Sequence, residues 1–390
     1  MQPLTPAQRT HADAVLTAVR AAIAASHGWL PFDDYLRLVM YAPGLGYYSA
    51  GSTKFGADGD FITAPELGSL FGYCVARQCA PLLRQLRTPA AVADVLELGA
   101  GSGKLAVDVL TRLASLGELP QRYLILEVSA ELRARQQALV ATLPLALRRR
   151  VSWLDAMPAH PLRAVVLANE VADALPFKRF VVGADGVREL GVAAGNNGEL
   201  RLHERPAAPS LSAECRRIAA ELPRALDPGY NSELCPMMDS WIAELAASLS
   251  AGAILLFDYG VGRREYYHPE RRDGTLRCHY RHMAHDNALL HPGLQDITAW
   301  VDFTRAAEAA AAGGLQVAVY CTQSAFLLGA GIDAELNAAT SAMQRARMAS
   351  EARQLLMPGE MGESFKCMLL TKDCEVDARS FAPQDLRHLL

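Results

Sequence analysis

A chain of 390 residues, 51% apolar and 21% charged, can bury a large core, which excludes both a lone small module and disorder as its main state. Two domains, or one large α/β domain carrying insertions, are expected. With 38 basic against 42 acidic residues the net charge is −4, so there is no general basic field to hold a polynucleotide and no nucleic-acid partner is expected.

Thr5 and Pro6 read as the N-cap and first residue of an amphipathic helix running through an Ala-rich stretch to Ala25. At Tyr41 the texture changes to Ala42-Pro-Gly-Leu-Gly-Tyr-Tyr, continuing through Gly56, Gly59 and Asp60, a loop-rich segment ahead of the core. Thr63 to Glu66, with Pro65, has the form of a capping box. From Ala91 onward seven short apolar runs alternate with helical segments: Val92 to Leu98, Tyr123 to Val128, Val151 to Leu154, Ala164 to Ala168, Ala253 to Phe257, Leu315 to Tyr320 and Cys367 to Leu370. That alternation predicts an α/β fold, a seven-stranded, mostly parallel sheet with helices on both faces.

About 84 residues separate the fourth run from the fifth, far more than a simple connection needs. This insertion, about 177–250, reads as a hairpin (Phe180 to Val182, Val187 to Val192) and two helices (Leu211 to Leu222, Met237 to Leu249). A second, 260–304, is rich in Tyr, His, Arg and Gly without a clear period and is expected as ordered loop over the sheet's carboxyl edge. The division is then an N-terminal extension 1–90 contributing to the cofactor pocket, a core 91–375 with its insertions, and a C-terminal stretch 376–390, tail or packed helix. Eight scattered cysteines without C-x-x-C spacing read as reduced thiols of a cytoplasmic protein. No run of about 18 apolar residues predicts membrane insertion.

The strongest local signal is Val95-Leu-Glu97-Leu-Gly99-Ala-Gly101-Ser-Gly103-Lys104, directly after a predicted strand and opening a helix. Glycines there let the backbone approach a ligand, and the helix start offers free N–H groups. Lys104 stands where a dinucleotide fingerprint wants glycine, and Leu105 where a P-loop wants Ser or Thr, which argues against NAD and ATP. Glu97 precedes the first glycine. Glu127, at the tip of the second run, suits the two hydroxyls of a ribose, and Asp155, after the third, an adenine amino group. A tight turn with Glu127 as a helix cap is the plainer alternative.

In this order the features resemble the class I S-adenosylmethionine-dependent methyltransferases. More narrowly, the chain resembles the MidA family, bacterial relatives of a mitochondrial complex I assembly factor that methylates arginine. Carrying the resemblance are Tyr41 to Tyr48, Gly59 to Glu66 with Phe71-Gly72, Ala168-Asn-Glu-Val-Ala-Asp-Ala-Leu-Pro176, Asp258-Tyr-Gly260, and Pro292 to Thr298 with Val301-Asp-Phe303. It implies S-adenosyl-L-methionine as cofactor, with Asp60, Glu66, Glu97, Gly99, Gly101, Gly103, Glu127, Asp155 and Asn169 around it. It also implies a protein substrate, a respiratory-complex subunit of NADH dehydrogenase type, and leaves a homodimer open. The family's histidine is replaced here by Trp300, which puts a proton-relay role there in doubt.

Asn169 and Glu170 end the fourth run, at the crevice where an acceptor meets the cofactor. A guanidinium is a poor nucleophile because its charge is delocalised, so carboxylates must hold one end and leave the attacking nitrogen its electron density. Glu170 and Asp173 can converge as such a fork, with Glu233 or Glu66 as further candidates; Asn169-Glu170 also reads as a helix-capping pair. Histidines 279, 282 and 285, with Cys278, lack zinc spacing, so no metal is expected, and this insertion, with Tyr266, Tyr267, Arg277, Tyr280 and Arg281, is expected to line the substrate groove. Two other functions stay open: methylation of a small molecule in a sealed pocket, and a noncatalytic assembly factor binding its partner through Gly183 to Leu226.

Overall fold

The computed structural model describes residues 3–49 and 63–390. Seven strands lie on the seven apolar runs: β1 Asp94–Leu98, β2 Tyr123–Leu126, β3 Val151–Leu154, β4 Leu162–Asn169, β5 Leu249–Val261, β6 Gln316–Thr322 and β7 Phe365–Lys372. Their order is β6-β7-β5-β4-β1-β2-β3, and Val301–Asp302 adds a short eighth strand beside the end of β5. The sheet is mixed: β3, β2, β1, β4 and β5 pair in parallel, whereas β7 runs antiparallel to both β5 and β6.

The unbroken apolar runs follow from burial on both faces. Val165, Leu167, Leu255 and Phe257 face one core and Val166, Ala168, Ile254 and Leu256 the other, alternating as the pleat requires. Among the helices used below are α1 Pro6–Ala25, α2 Leu70–Leu86, α3 Lys104–Ser115, α4 Met237–Ala247, α5 Phe303–Ala312 and α6 Ala342–Leu356. The first core packs under α2 and α3, the second under α4 and α5.

At the N-terminus Thr5 and Gln8 form a reciprocal capping box with Pro6 in the first turn, so α1 starts where its sequence says. Its buried stripe, Val15, Val19 and Ile23, packs with Phe32, Tyr35, Phe177 and Val192 in a third core shared with the first insertion. Leu30–Pro31 pairs with Gly191 and Val192, giving the predicted hairpin (Lys178–Gly183, Gly186–Ala194) a further strand. Leu200–Pro206 and Asn231–Leu234, not expected from the sequence, complete a five-stranded sheet.

The second insertion is not simply loop. It holds a three-stranded sheet of Arg277–Tyr280, Met283–His285 and Asp296–Thr298, strands too short to display a period. Between β6 and β7 the chain is helical, as the alternation of apolar runs and helical segments predicts. The C-terminal stretch is packed: Phe381 and Ala382 are buried, and the Leu386 N–H donates to the Tyr320 carbonyl at 2.6 Å. Among the described residues no helix is long and apolar enough to cross a membrane.

Gly72 lets α2 lie close on α3, since a Cβ there would sit 2.5 Å from the Asp108 Cβ. Gly72→Ala gains up to about 1 kcal/mol of helix propensity but overpacks the contact. A net loss of about 1–2 kcal/mol is expected, read as a lower urea midpoint at unchanged slope.

Candidate functional site

The carboxyl ends of β1, β2 and β4 open onto a cavity of about 290 Å³, at the point where strand order reverses between β1 and β4. Its floor is the turn after β1. Gly99, Gly101 and Gly103 have φ of 58°, 54° and 86°, left-handed values that side chains resist, and Gly99 and Gly101 line the cavity.

Gln136, fully buried, fixes this turn to its surroundings. Its amide nitrogen donates to the Gly101 carbonyl at 3.0 Å and to Glu127 Oε2 at 2.9 Å, while its oxygen accepts from the Trp153 indole at 2.9 Å. Glu127 is thereby held at the cavity wall, its other oxygen accepting the Ser129 N–H at 2.9 Å. These bonds fix the orientation of the Glu127 carboxylate, an acceptor-only group when ionised. Nothing local in the sequence marks Gln136; only its two long-range bonds reveal it.

Glu97 lies on the cavity wall, nearly fully buried, accepting the Tyr123 hydroxyl at 2.6 Å, and burial pushes its carboxyl up to about 7. Glu66 also lines the cavity and accepts a short hydrogen bond from the Ser102 hydroxyl. The expected Thr63–Glu66 capping box does not form: Thr63 makes no side-chain cap bond, because Glu66 turns to the glycine turn instead.

Three expected residues are not brought in: Gly103 lies against Gln136 and does not line the cavity, and Asp155 and Glu233 turn elsewhere. Asp155 is 87% exposed at its side chain and pairs with Arg133 at 2.6 Å; Met157 lines the cavity in its stead. Glu233 is buried among Tyr266, Tyr267 and Trp300 beside a separate small cavity, accepting the Thr275 N–H at 2.8 Å and hydroxyl at 3.0 Å. It fastens the two insertions together. Tyr266 and Tyr267 are core residues of the insertion, not groove lining, and the Arg271 guanidinium stacks on Trp300 with 4.3 Å to the ring centre. Asp60 lies outside the described residues.

Across the cavity from the glycine turn stand the acids that follow β4. Asn169 donates to Glu170 Oε1 at 3.1 Å. Glu170 itself takes φ of 53°, a strained value for a residue with a side chain and one that clusters at functional sites. Burial, reinforced by Asp173, pushes its carboxyl up to about 8. Asp173, also raised by burial, sits at about 6, with a hydrogen bond from Tyr259 working against the rise. Behind them Asp258 accepts the N–H groups of Ala172 and Asp173 at 3.0 and 3.2 Å and so shapes the turn.

The remaining wall comes from residues not singled out individually as site candidates. Tyr41 and Tyr48 stack at 5.5 Å, their hydroxyls tied to the Ala174 carbonyl (2.5 Å) and to Asp296 (2.9 Å). Trp241 and Glu244, one turn apart on α4, also face the cavity. In all, Glu66, Glu97, Glu127, Glu170, Asp173 and Glu244 line it, and no Lys, Arg or His does so among the described residues.

A model of a family of S-adenosyl-L-methionine-dependent methyltransferases matches residues 74–321. The chain belongs to this family. A Burkholderia thailandensis protein crystallised with S-adenosyl-homocysteine superposes on the methyltransferase with a TM-score of 0.93 at 38% identity, covering 100% of both chains. The zebrafish (Danio rerio) protein arginine methyltransferase NDUFAF7 is 29% identical over 374 residues, covering 85% of this chain and 81% of its own. The human protein of that name is 27% identical, with 88% and 80% covered. These relationships establish a MidA-like methyltransferase with S-adenosyl-L-methionine as its cofactor.

The cavity fits that cofactor. A side-chain-free turn offers close backbone approach, Glu127 offers acceptors of the kind ribose hydroxyls need, and Leu98, Leu126 and Met157 give apolar wall. Gly101→Val should weaken S-adenosyl-homocysteine binding at least ~30-fold by calorimetry, since a branched side chain is strained at φ of 54° and would occupy ligand space. Asp155→Asn should leave the affinity within about twofold, its carboxylate being solvated.

Proposed function

We propose that this methyltransferase modifies an arginine side chain of a protein, with Glu170 and Asp173 as the fork that holds the guanidinium. One observation carries the reading: the cavity gathers six carboxylates and no basic side chain among the described residues, with Asp258 and Asp296 buried behind them. Glu97, Glu127 and Asp173 among them are buried and Glu66 and Glu170 half-buried, which is costly unless a ligand supplies opposite charge. A planar cation with several donors suits such a fork.

S-adenosyl-L-methionine, held by the glycine turn and Glu127, supplies an electrophilic methyl group. The protein's part is positioning and charge. Glu170 and Asp173 bind the guanidinium, draw positive charge toward the nitrogens they hold, and leave the third nitrogen its electron pair. Asn169 keeps Glu170 oriented through its amide. Tyr41 and Tyr48 offer flat faces against which a planar cation can lie. As the methyl's bond to nitrogen forms, its bond to sulfur would break to leave a neutral thioether, and the nitrogen's surplus proton would pass to Glu170, whose carboxyl burial pushes up to about 8. As acceptor we propose a respiratory-complex subunit of NADH dehydrogenase type, encountered in the cytoplasm.

The test is transfer of labelled methyl into arginine-containing peptides and lysate protein. Glu170→Gln should lower transfer at least ~100-fold with cofactor affinity nearly unchanged, and an acceptor peptide with lysine for arginine should take no label. Label entering only small metabolites would overturn the protein acceptor.

Because the fork must be ionised, kcat/KM should climb between about pH 6 and 8, the values of Asp173 and Glu170, and level off above. Stability should move oppositely. The folded protein keeps Glu170 protonated where the unfolded chain, near 4.5, has already lost that proton, so cofactor-free stability falls as pH rises from about 4.5 to 8. Glu170→Gln removes this loss and should raise Tm at pH 8 even as it lowers transfer.

A further inference from the structure

A carboxylate from outside the cavity reaches the loop that lines it. Most of α6 is exposed, yet Glu351 is only 5% exposed. Its Oε1 accepts the Leu70 N–H at 2.6 Å. Glu351 thus caps α2 from a distant part of the chain, at a helix start where unpaired N–H groups and the helix dipole favour an anion. Ser69 provides no side-chain cap of its own. Gly68 makes the approach feasible, because a Cβ there would lie 2.0 Å from Glu351 Oε2.

The capped backbone continues the segment that lines the cofactor cavity. Thr63, Pro65 and Glu66 face the cavity, and Glu66 is bonded to Ser102 of the glycine turn. Ser69 is tied to the same region from the other side, its hydroxyl donating to Asp108 on α3 at 3.0 Å. A shift of Gly68 to Leu70 would therefore pass directly into the wall.

We propose that Glu351 is a positioning residue for cofactor binding: by fixing the Gly68–Leu70 backbone it holds Thr63 to Glu66 against the glycine turn. This rests on the cofactor and not on the arginine acceptor, so failure of one leaves the other standing. It also gives the helices between β6 and β7 a role in the site, although none of their residues lines the cavity.

The experiment is calorimetric titration of the full chain with S-adenosyl-homocysteine at 10 and 25 °C, folding being checked by circular dichroism. Glu351→Ala should weaken binding ~10-fold at both temperatures, as loss of a charge-assisted cap predicts. Glu351→Gln should stay within about threefold, because its amide oxygen still accepts the Leu70 N–H. Gly68→Ala, which keeps the carboxylate but displaces it, should match Glu351→Ala. Glu66→Gln combined with Glu351→Ala should lose less than the sum of the two. Wild-type affinity in folded Glu351→Ala or in Gly68→Ala would overturn the proposal. So would a loss that vanishes at 10 °C, or a Glu351→Gln protein as weak as Glu351→Ala.

Discussion

Carboxylates gathered on a cavity wall with no basic side chain beside them, among the described residues, are the constraint around which this molecule is arranged. Glu170, Asp173 and Asp258 stand close enough at the ends of β4 and β5 to raise one another's affinity for protons, and Asp296 adds to the effect on Glu170. Such a cluster opposes folding. It is tolerated because two large apolar cores, alternating across the same strands, anchor the chain that carries it. Backbone N–H groups offset part of the cost, with Asp258 accepting three of them from Ala172, Asp173 and Tyr259. The left-handed backbone at Glu170 is strain of the same kind, held in place by its N–H bond to the Phe257 carbonyl at 2.8 Å.

The site's two halves are held differently. The glycine turn is locked by Gln136, a single amide whose three hydrogen bonds tie together the ends of β1, β2 and β3. The acid half is closed by the N-terminal segment, whose Tyr41 and Tyr48 bridge to Ala174 and Asp296. That segment rests on the inserted sheet and not on the central one, because Leu30 and Pro31 pair with the inserted hairpin and α1 packs on the same core. Extension and insertions together therefore behave as one layer over the carboxyl edge.

Buried ion pairs play a different part. Arg263, 2% exposed, gathers Glu221, Glu308 and Asp302, and Arg305 joins Glu214 and Asp239. These fasten α5 to the helices of the first insertion, each guanidinium bonded to at least two carboxylates. The contrast with the cavity is chemical: in the fastening network every acid meets a cation of the chain, whereas the acids on the cavity wall face space for a ligand.

The sequence by itself determined the central sheet, because strands buried on both faces must be written as unbroken apolar runs, and each run became a strand. It also determined the glycine turn and the acids at strand ends, since left-handed backbone leaves glycine as its mark and position along a parallel strand fixes which end faces the ligand. The MidA resemblance was legible for the same reason, in blocks that sit at those strand ends. Tertiary structure alone decided which acids share a space. Asp155 and Glu233 have the right chemistry but point to Arg133 and Thr275, while Glu244, Trp241 and Gln136 arrive from helices whose sequence gives no sign of what they approach. Glu351 is the extreme case, an acid on an exposed Arg-rich helix that meets Leu70 across 281 positions of chain. Local sequence records the conformation each residue must adopt. The partner that a long side chain meets is set by packing between segments distant in the chain, and periodicity carries no trace of it.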